Sequence, residues 1–374
     1  MEPGMDVFGF FIYKITNHFM KVLFHLGHPA HYHLFKHTMK ALEKKGNQIY
    51  ILIKKKDILE DLLQRDGFHY RNILPKGRRD SKAGIAIGQL KQDIRLLFFV
   101  LRKRPDLMAG TSVAIAHVGK LMGIPNLNVN EDDAEAVPLY AKLSYPWSTY
   151  IISPSVCSTG KWKDKKIAYE GYHELAYLHP DHFIPDKNIA QKYLDLDKPY
   201  FIIRFAKLKA HHDSGIKGIH KELALKIIEL LKPHGNIFIT SEIELDPVFE
   251  SYRIKINPVD IHHVMAFASL YIGDSQTMAA EAGVLGTPFI RFNDFVDRIS
   301  YLAELENKYE LGYGIRPEYP EKLLDKVSEL MSLDNLNDIF RERRNKMLAD
   351  KINLADYLTN LIERYPESIP ELKK

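Results

Sequence analysis

A strand, a short polar turn and a helix start within Tyr271–Pro288 form the pattern best suited to bind a phosphate. The apolar strand ends at Gly273, and a helix begins near Gln276 with Asp274 or Ser275 as its N-cap. The first turn of a helix has main-chain N–H groups without helical partners and carries the positive end of the helix dipole. We therefore expect this turn to bind the phosphates of a nucleotide.

The same helix carries a hydroxyl and a carboxylate on one face. Thr277 and Glu281 are four residues apart, which places them on the same side of the helix. A nucleotide bound there would have its pyrophosphate at Ser275–Thr277 and its ribose hydroxyls at Glu281. The spacing also fits an ordinary capped helix whose Glu281 is a solvated surface residue.

Histidines follow the first strand of the chain. His28 lies at the carboxyl end of that strand, where a neutral imidazole could accept a proton from a hydroxyl group at physiological pH. His31 is the second candidate for this base, and the other histidines of the run are expected to be helix-start and packing residues. His33 and His37 share a helical face, but neither a zincin motif nor a nearby carboxylate accompanies them, so we expect no metal.

Two further clusters carry charge. Arg204 ends a strand, and Lys207 and His212 follow in a loop whose cations could bind a diphosphate or could simply be solvated. An acidic turn after the fifth strand offers Glu131 or Asp132 as an acid or a base.

Small residues at strand ends complete the candidate site. The residues that follow the first and fourth strands would contact an acceptor sugar or an anion. They are Gly27, Gly110, Thr111 and Ser112. Asp133 is expected to be the N-cap of the helix after the acidic turn.

Short apolar runs alternate with longer amphipathic stretches, which is typical of parallel sheets with helices on both faces. At about 150 residues per domain, the 374 residues suggest two domains. The simplest interpretation is two doubly wound α/β domains in series, with ligands bound in the cleft beyond the carboxyl ends of the strands. The predicted strands are Val22–Leu26, Gln48–Ile53, Tyr70–Leu74, Leu107–Ala109, Asn126–Val129, Tyr150–Ile152, Tyr200–Phe205, Asn236–Thr240, Leu270–Gly273 and Phe289–Phe292. The predicted helices are Leu34–Lys45, Ile58–Arg65, Ile85–Arg104, Ala114–Met122, Ala134–Leu143, Lys221–Leu231, Pro258–Ala268, Thr277–Leu285 and Pro320–Leu333.

The composition excludes several classes of protein. Hydrophobic residues make up 45% and charged residues 27% of the chain, which argues against disorder, collagen and a bundle of membrane spans. A net charge of +4 is too small for a dedicated nucleic-acid binder. The single cysteine, Cys157, cannot form an internal disulfide, so we expect a reducing, cytoplasmic location. Met1–Phe19 is expected to be an extension that is not native or is loosely attached.

The segment Arg95–Arg104 has an apolar face and ends in basic residues. It could rest on the anionic inner face of a membrane, which would suit an acceptor carried on lipid. The common alternative is a core helix whose cations lie at the negative end of the helix dipole.

Taken together, these motifs resemble those of an uncharacterised family of predicted glycosyltransferases. That family is allied to the non-hydrolysing UDP-N-acetylglucosamine 2-epimerases and to the GT-B transferases. The resemblance covers about Met20 to Arg364. The segments that carry it are His28–His33, Arg104–Asp106, Gly123–Pro125, Gly171–Leu178 and Gly273–Pro288.

The resemblance implies a GT-B-like fold of two Rossmann-like domains that face each other across a cleft. It implies that the C-terminal domain holds a UDP-sugar, with the ribose on Glu281 and the pyrophosphate at Ser275–Thr277, and that the acceptor approaches from the N-terminal domain. A last helix at Leu354–Arg364 would cross back to the first domain. The expected divisions are 1–19 extension, 20–170 acceptor-side domain, 171–185 connector, 186–350 nucleotide-sugar domain, and 351–374 final helix and tail.

The expected function is transfer of a sugar from a nucleotide-sugar, most simply a UDP-sugar, to a saccharide or lipid-linked acceptor in cell-surface polysaccharide synthesis. The predicted mechanism is inverting and needs neither metal nor cofactor, and the predicted state is a monomer or a homodimer. The first alternative is a UDP-sugar 2-epimerase that uses Glu131 or Asp132 with His212. Two departures from the epimerases disfavour it, namely Gly110–Ser112 in place of their Asp-Thr pair and Phe205–Asp213 in place of their His-Arg-Arg-Glu-Asn motif. The second alternative is a non-catalytic nucleotide-sugar binder.

Overall fold

The computed structural model of the protein describes residues 19–56, 58–77, 81–205, 218–241 and 244–372. The described residues form two parallel β-sheets, which follow one another along the chain. In the first half, seven strands are ordered β3-β2-β1-β4-β5-β6-β7. They are β1 Lys21–Leu26, β2 Gln48–Lys54, β3 Tyr70–Leu74, β4 Leu107–Gly110, β5 Asn126–Val129, β6 Tyr150–Pro154 and β7 Lys166–Tyr169.

The second half contains a five-stranded sheet ordered β12-β11-β10-β8-β9. Its strands are β8 Tyr200–Phe205, β9 Asn236–Ser241, β10 Leu270–Gly273, β11 Phe289–Phe292 and β12 Gly312–Ile315. In both sheets the chain reverses its winding direction beside the first strand, at β1/β4 and at β8/β10. Crevices at such reversals, beyond the carboxyl ends of the strands, are where doubly wound sheets bind ligands.

Helices connect the strands and cover the sheets. In the first half and the connector they are α1 Pro29–Lys44, α2 Leu59–Arg65, α3 Lys82–Lys103, α4 Val113–Met122, α5 Pro138–Ser144 and α6 Lys187–Ala190. In the second half they are α7 Lys221–Leu231, α8 Ile261–Met265, α9 Gln276–Leu285, α10 Ser300–Asn307, α11 Pro320–Met331, α12 Leu336–Asp350, α13 Leu354–Glu363 and α14 Ser368–Leu372. Short 3-10 helices lie at Gly160–Lys165, His173–Ala176 and Pro247–Tyr252.

The two faces of the first sheet pack against different helices because side chains alternate along a strand. Phe24 of β1 points toward α1, where its ring lies 5.3 Å from that of Phe35. Leu23, the neighbouring residue, points to the other face and packs with Leu96 and Val100 of α3. The core of the first half therefore has two layers, with α3 and α4 on the face opposite α1.

The main differences from the predicted elements lie at short strands and helix starts. β7 and β12 were not predicted, because β7 directly follows the lysine-rich 3-10 helix Gly160–Lys165 and β12 contains two glycines, which are uncommon within strands. α1 begins at Pro29 rather than Leu34, because proline is tolerated at the first helical position. The helix predicted from Ala134 begins only at Pro138, so the expectation that Asp133 caps it was wrong.

Asp133 instead joins the two halves of the molecule. Its carboxylate accepts hydrogen bonds from the main-chain N–H of Ser158 at 2.6 Å and from that of Ser300 at 2.6 Å. The Ser300 hydroxyl adds a third bond at 2.9 Å. The Asp133 carboxylate thus binds at the N-terminus of α10 in the second half. A carboxylate is favoured there by both the free N–H groups and the helix dipole.

The penultimate helix, α13, packs on α1 of the first half. The Thr38 hydroxyl donates to the main-chain oxygen of Ala355 at 3.2 Å, and Lys45 forms an ion pair with Glu363. Along the described ranges, no helix is both long enough and apolar enough to span a membrane.

Candidate active site

α9 begins at Gln276, in the turn where we predicted a phosphate-binding site. Ser275 is its N-cap, with the hydroxyl accepting from the main-chain N–H of Met278 at 3.4 Å. The structure thereby decides between the two predicted caps. The Asp274 main-chain oxygen accepts from the Asn293 side chain at 3.0 Å, which fixes the turn ahead of the helix. Gln276 and Thr277 are half-buried in the first turn.

Gly273 allows two strands to approach closely beside this helix start. It pairs with Arg204 of β8, and a Cβ at position 273 would lie 2.6 Å from the Tyr271 hydroxyl and 2.9 Å from the main-chain oxygen of Arg204. The main chain of Arg204 therefore lies beside the end of β10, just ahead of α9, and its contact with a diphosphate stays a prediction. Lys207 and His212, predicted to act with it, lie outside the described residues.

Glu281 is a buried residue, so the solvated surface position considered for it was wrong. It is 6% exposed. Its Oε1 accepts a hydrogen bond from the Tyr177 hydroxyl at 2.8 Å and lies 2.9 Å from Nε2 of His262. Both contacts engage Oε1, so a ribose at this carboxylate would be bound through Oε2.

Tyr177 connects this carboxylate to the first half of the molecule. It belongs to the segment between the two sheets, and its ring centre lies 5.1 Å from that of His33 in α1. The ring of His262 lies 5.5 Å from that of His33. Burial lowers the pKa of His33 well below its usual range. An aromatic cluster of Tyr177, His33 and His262 thus packs beside Glu281.

His28 and His31 both accept hydrogen bonds from the main chain. Nδ1 of His28 accepts from the N–H of Ala30 at 3.2 Å and so caps α1, while Nδ1 of His31 accepts from the N–H of Gly27 at 3.1 Å. A neutral ring that accepts at Nδ1 carries its proton on Nε2. Burial also lowers the pKa of His31 well below its usual range. In this conformation both rings present an N–H donor at Nε2.

Glu131 pairs with His173, a residue that sequence analysis did not single out. Its Oε2 accepts from the main-chain N–H of His173 at 2.9 Å, and its Oε1 lies 3.3 Å from Nδ1 of the same residue. Burial lowers the pKa of His173 to about 3 and raises that of Glu131 well above its usual range. Both shifts favour the uncharged forms of the pair, a carboxylic acid beside an imidazole.

Two more carboxyl groups lie near this pair. Asp132 has a raised pKa, mainly because it is buried. Glu174 is 1% exposed, and its pKa is raised well above the usual range by burial and by the negative potentials of Glu131 and Glu281. The Glu174 carboxyl group thus interacts electrostatically with Glu131 in the acidic turn of the first half and with Glu281 of the second half. The structure brings these two predicted clusters together.

The residues predicted to face an acceptor have mainly structural contacts. Gly27 is buried and donates to His31, and the Thr111 hydroxyl donates to the main-chain oxygen of Val129 at 2.5 Å. Ser112 is 7% exposed, and its hydroxyl caps α4 and lies 2.5 Å from Nδ1 of His25. The expectation that the Ser112 side chain contacts an acceptor is therefore corrected, because its hydroxyl is used within the fold.

Gly110 is required by the close packing of β1 and β4. Its φ is +154°, and a Cβ there would lie 2.5 Å from the main-chain oxygen of His25. A side chain is excluded at this position, so any contact with an acceptor would be made by the main chain.

The residues that sequence analysis missed lie mostly in the segment predicted as a connector. His173, Glu174 and Tyr177 occur in one short run, and the signal that could have identified them is its density of titratable and aromatic residues. His262 follows from no local pattern. Within the described ranges, no three His, Cys, Asp or Glu side chains are grouped as metal ligands. His37 stacks on His182 at 4.3 Å, whereas His33 packs on Tyr177.

Three solved structures show the same overall fold. S. aureus MnaA, in a co-structure with UDP, is 14% identical with a TM-score of 0.68, covering 93% of this chain and 97% of that one. The UDP-GlcNAc 2-epimerase from Neisseria meningitidis, bound to UDP-GlcNAc, is 15% identical with a TM-score of 0.65, covering 94% and 100%. The spinosyn rhamnosyltransferase SpnG, complexed with spinosyn aglycone, is 14% identical with a TM-score of 0.59, covering 91% and 99%.

These similarities confirm the predicted fold class, two parallel-sheet α/β Rossmann-like domains of the kind shared by GT-B glycosyltransferases and 2-epimerases. No curated protein matches the chain. Residues 20–297 match a family described as "Protein of unknown function (DUF354)". The chain belongs to this family, whose fold allies it with the UDP-GlcNAc 2-epimerases and the GT-B glycosyltransferases.

Proposed function

We propose that the protein is an enzyme that transfers a sugar from a nucleotide-sugar, most simply a UDP-sugar, to a saccharide or lipid-linked acceptor in cell-surface polysaccharide synthesis. One observation carries the proposal: the buried Glu281 of α9, a helix with a capped start, accepts a hydrogen bond from Tyr177, whose ring packs on His33 of α1 in the other Rossmann-like domain. That arrangement suits a reaction in which one half holds the donor and the other presents the acceptor.

The donor would be held mainly by the second half. The main-chain N–H groups of the first turn of α9 would bind the diphosphate, and Arg204 beside Gly273 would add positive charge. Glu281 would accept the ribose hydroxyls at Oε2. Since a departing nucleoside diphosphate is stabilised by fixed donors and cations, these groups could support an inverting displacement without a metal.

The proton chemistry would be performed by the first half. As they stand, His28 and His31 are donors at Nε2, which suits binding of an anionic or hydroxyl oxygen. For His28 to accept the proton of an acceptor hydroxyl, its ring must release the Ala30 N–H when substrate binds. Glu131, whose burial raises its pKa well above the usual range, is suited to act as an acid.

A thermal-shift titration tests the donor site. Wild type, Glu281→Gln and the control Glu342→Gln on the exposed face of α12 would be titrated with UDP, GDP, CMP, dTDP and several UDP-sugars. A ligand at about 100 times its Kd stabilises a protein by roughly 2.7 kcal/mol. We expect UDP or a UDP-sugar to shift wild type and the control, and Glu281→Gln to lose most of the shift. If no nucleotide shifts wild type, the proposal is wrong.

The role of His28 is tested by His28→Asn. Asparagine is a good N-cap, so this variant keeps α1 capped but lacks a group that titrates near neutral pH. We expect turnover to fall at least about 100-fold, with donor affinity within about twofold of wild type. Unchanged turnover would remove His28 from the chemistry.

A second candidate function is 2-epimerisation of a UDP-sugar. It is favoured by the Glu131–His173 pair, in which a carboxyl group of raised pKa lies beside an imidazole of lowered pKa, since this chemistry needs no acceptor. The epimerase would change the sugar in a mixture of enzyme and donor alone, which NMR detects directly. Donor binding with neither reaction, across a panel of acceptors, would instead indicate a non-catalytic binder.

A further inference from the structure

The outer face of α3 has an apolar stripe that the fold leaves uncovered. Its residues are spaced three or four apart, which places them on one side of the helix. They are Ile87, Leu90, Ile94, Phe98 and Leu101, and each is between 45% and 68% exposed. The opposite side of α3 already packs on the sheet through Leu96 and Val100, which are fully buried. The stripe is therefore separate from the side of α3 that packs in the core.

The apolar surface continues onto the two neighbouring helices. α4 packs beside α3, where His117 contacts Asp93 at 2.9 Å, and His117 also contacts the main-chain oxygen of Leu143 in α5 at 2.9 Å. Leu121 on α4 is 70% exposed, and Leu139 at the start of α5 is 63% exposed. We call this three-helix surface the α3–α5 face.

Aromatic side chains add to the α3–α5 face. Trp147, just after α5, is 46% exposed and its ring lies 6.4 Å from that of His117. Exposed apolar patches of this extent are uncommon on monomeric proteins and mark contact surfaces. Tryptophan is enriched at the boundary between lipid and water.

The charge of the α3–α5 face is positive. The exposed basic residues of its helices include Lys91, Arg95 and Arg102 of α3, Lys120 of α4 and Lys142 of α5. Lys91, Arg95 and Arg102 share one side of α3 and run along one edge of the apolar stripe. Asp93 is the acidic residue of these helices, and its carboxylate is paired with His117.

We propose that the α3–α5 face docks on an anionic lipid bilayer. The charge distribution favours this occupant over a second copy of the chain, because two such faces would bring like charges together, whereas an apolar stripe edged by cations complements an anionic interface. The proposal does not depend on the reaction assigned above.

Vesicle flotation tests the proposal with the full chain and no substrate. The vesicles are phosphatidylcholine alone, or phosphatidylcholine with about 30 mol% phosphatidylglycerol. The variants are Phe98→Ser/Leu101→Ser for the stripe, Lys91→Gln/Arg102→Gln for its charged edge, and Ile184→Ser, an equally exposed apolar residue elsewhere, as the control. Circular dichroism and the melting temperature check that each variant is folded.

We expect wild type and Ile184→Ser to float with the anionic vesicles, and the partition coefficient to fall at least about tenfold in the stripe variant. The charge variant and about 0.5 M NaCl should weaken binding severalfold. Failure to float, equal binding to neutral vesicles, or unchanged binding of the stripe variant would overturn the proposal. So would a sedimentation mass of two chains that Phe98→Ser/Leu101→Ser reduces to one, since a second copy would then occupy the face.

Discussion

His25 shows how burial sets the chemistry of a single side chain in this protein. It is 2% exposed in β1, and its Nδ1 lies 2.5 Å from the hydroxyl of Ser112. Burial, with a smaller contribution from Lys54, lowers its pKa to about 3. His173 at the candidate site is lowered to about 3 for the same main reason. The imidazoles of His25 and His173 are therefore neutral at physiological pH, and they act as hydrogen-bond donors and acceptors rather than as cations.

The difference between the pKa of His25 in the folded and in the unfolded protein predicts that the folded state is less stable in acid. Between the unfolded value of about 6.5 and the folded value of about 3, the unfolded state binds one more proton at His25, so stability falls as the pH falls. We expect His25→Asn to reduce the slope of the unfolding free energy against pH, between pH 6 and 4, by about 1.4 kcal/mol per unit. Urea melts across this range measure the slope. His234→Asn, on an exposed residue, is the control, and equal slopes in the two variants would contradict the prediction.

At the scale of elements, the ends of parallel strands are fixed by close main-chain contacts. β1 and β4 pair from Val22 to His25, and the chain then turns at Gly110 into α4. The close approach of the His25 carbonyl leaves no space for a side chain at Gly110. This packing positions the loops that carry His28 and Thr111, so the shape of the site depends on it.

Gly110→Ala should therefore destabilise the protein through its main chain. A Cβ 2.5 Å from a carbonyl oxygen, at a φ of +154°, requires the strands to move apart. We expect a loss of about 2 kcal/mol or more in urea unfolding. Gly67→Ala is the matched control, because Gly67 has a φ of +75° but no atom within 4 Å of the added Cβ, so it should lose only about 1 kcal/mol. Similar losses in both variants would show that backbone conformation alone is responsible.

At the scale of the molecule, the two halves are joined by buried polar contacts and by the helix that returns to the first half. Lys351 lies 2.8 Å from Glu304, and Glu304 also accepts from the Tyr172 hydroxyl at 2.6 Å. The Asp133 contacts with Ser300 form a second junction. These contacts hold the acidic turn of the first half against α10 of the second.

Removal of α13 should unfold the chain. This helix buries Leu354, Leu358, Leu361 and Ile362. Each such side chain contributes about 1.5–3 kcal/mol, and a domain has only about 5–15 kcal/mol of net stability. We expect a chain ending at residue 351 to be insoluble or to lack a cooperative thermal transition, whereas one ending at residue 370 should melt near wild type. A folded product ending at residue 351 would show that the first half does not need α13.

The sequence by itself determined the strand–turn–helix units and the residues that cap them. Apolar periodicity, Gly273 and the polar turn before Gln276 are short-range signals, because strand and helix patterns depend on neighbours within a few residues. The same local patterns predicted the positions of His28, Glu131 and Thr277 after their strands. They failed for β7, which directly follows a lysine-rich segment, and for β12, which contains two glycines.

Tertiary structure alone decided which of these residues meet and in which protonation state. Tyr177 and Glu281 are 104 residues apart in sequence, and His173 and Glu131 are 42 apart. Neither pair is linked by a local pattern, because their contact depends on how the two sheets and the intervening segment pack. Packing also buried Ser112 and Glu281, which a spacing rule could not distinguish from surface residues. Burial then shifted the pKa of Glu131 and that of His173 toward their uncharged forms, because an ion loses its hydration when the fold excludes water.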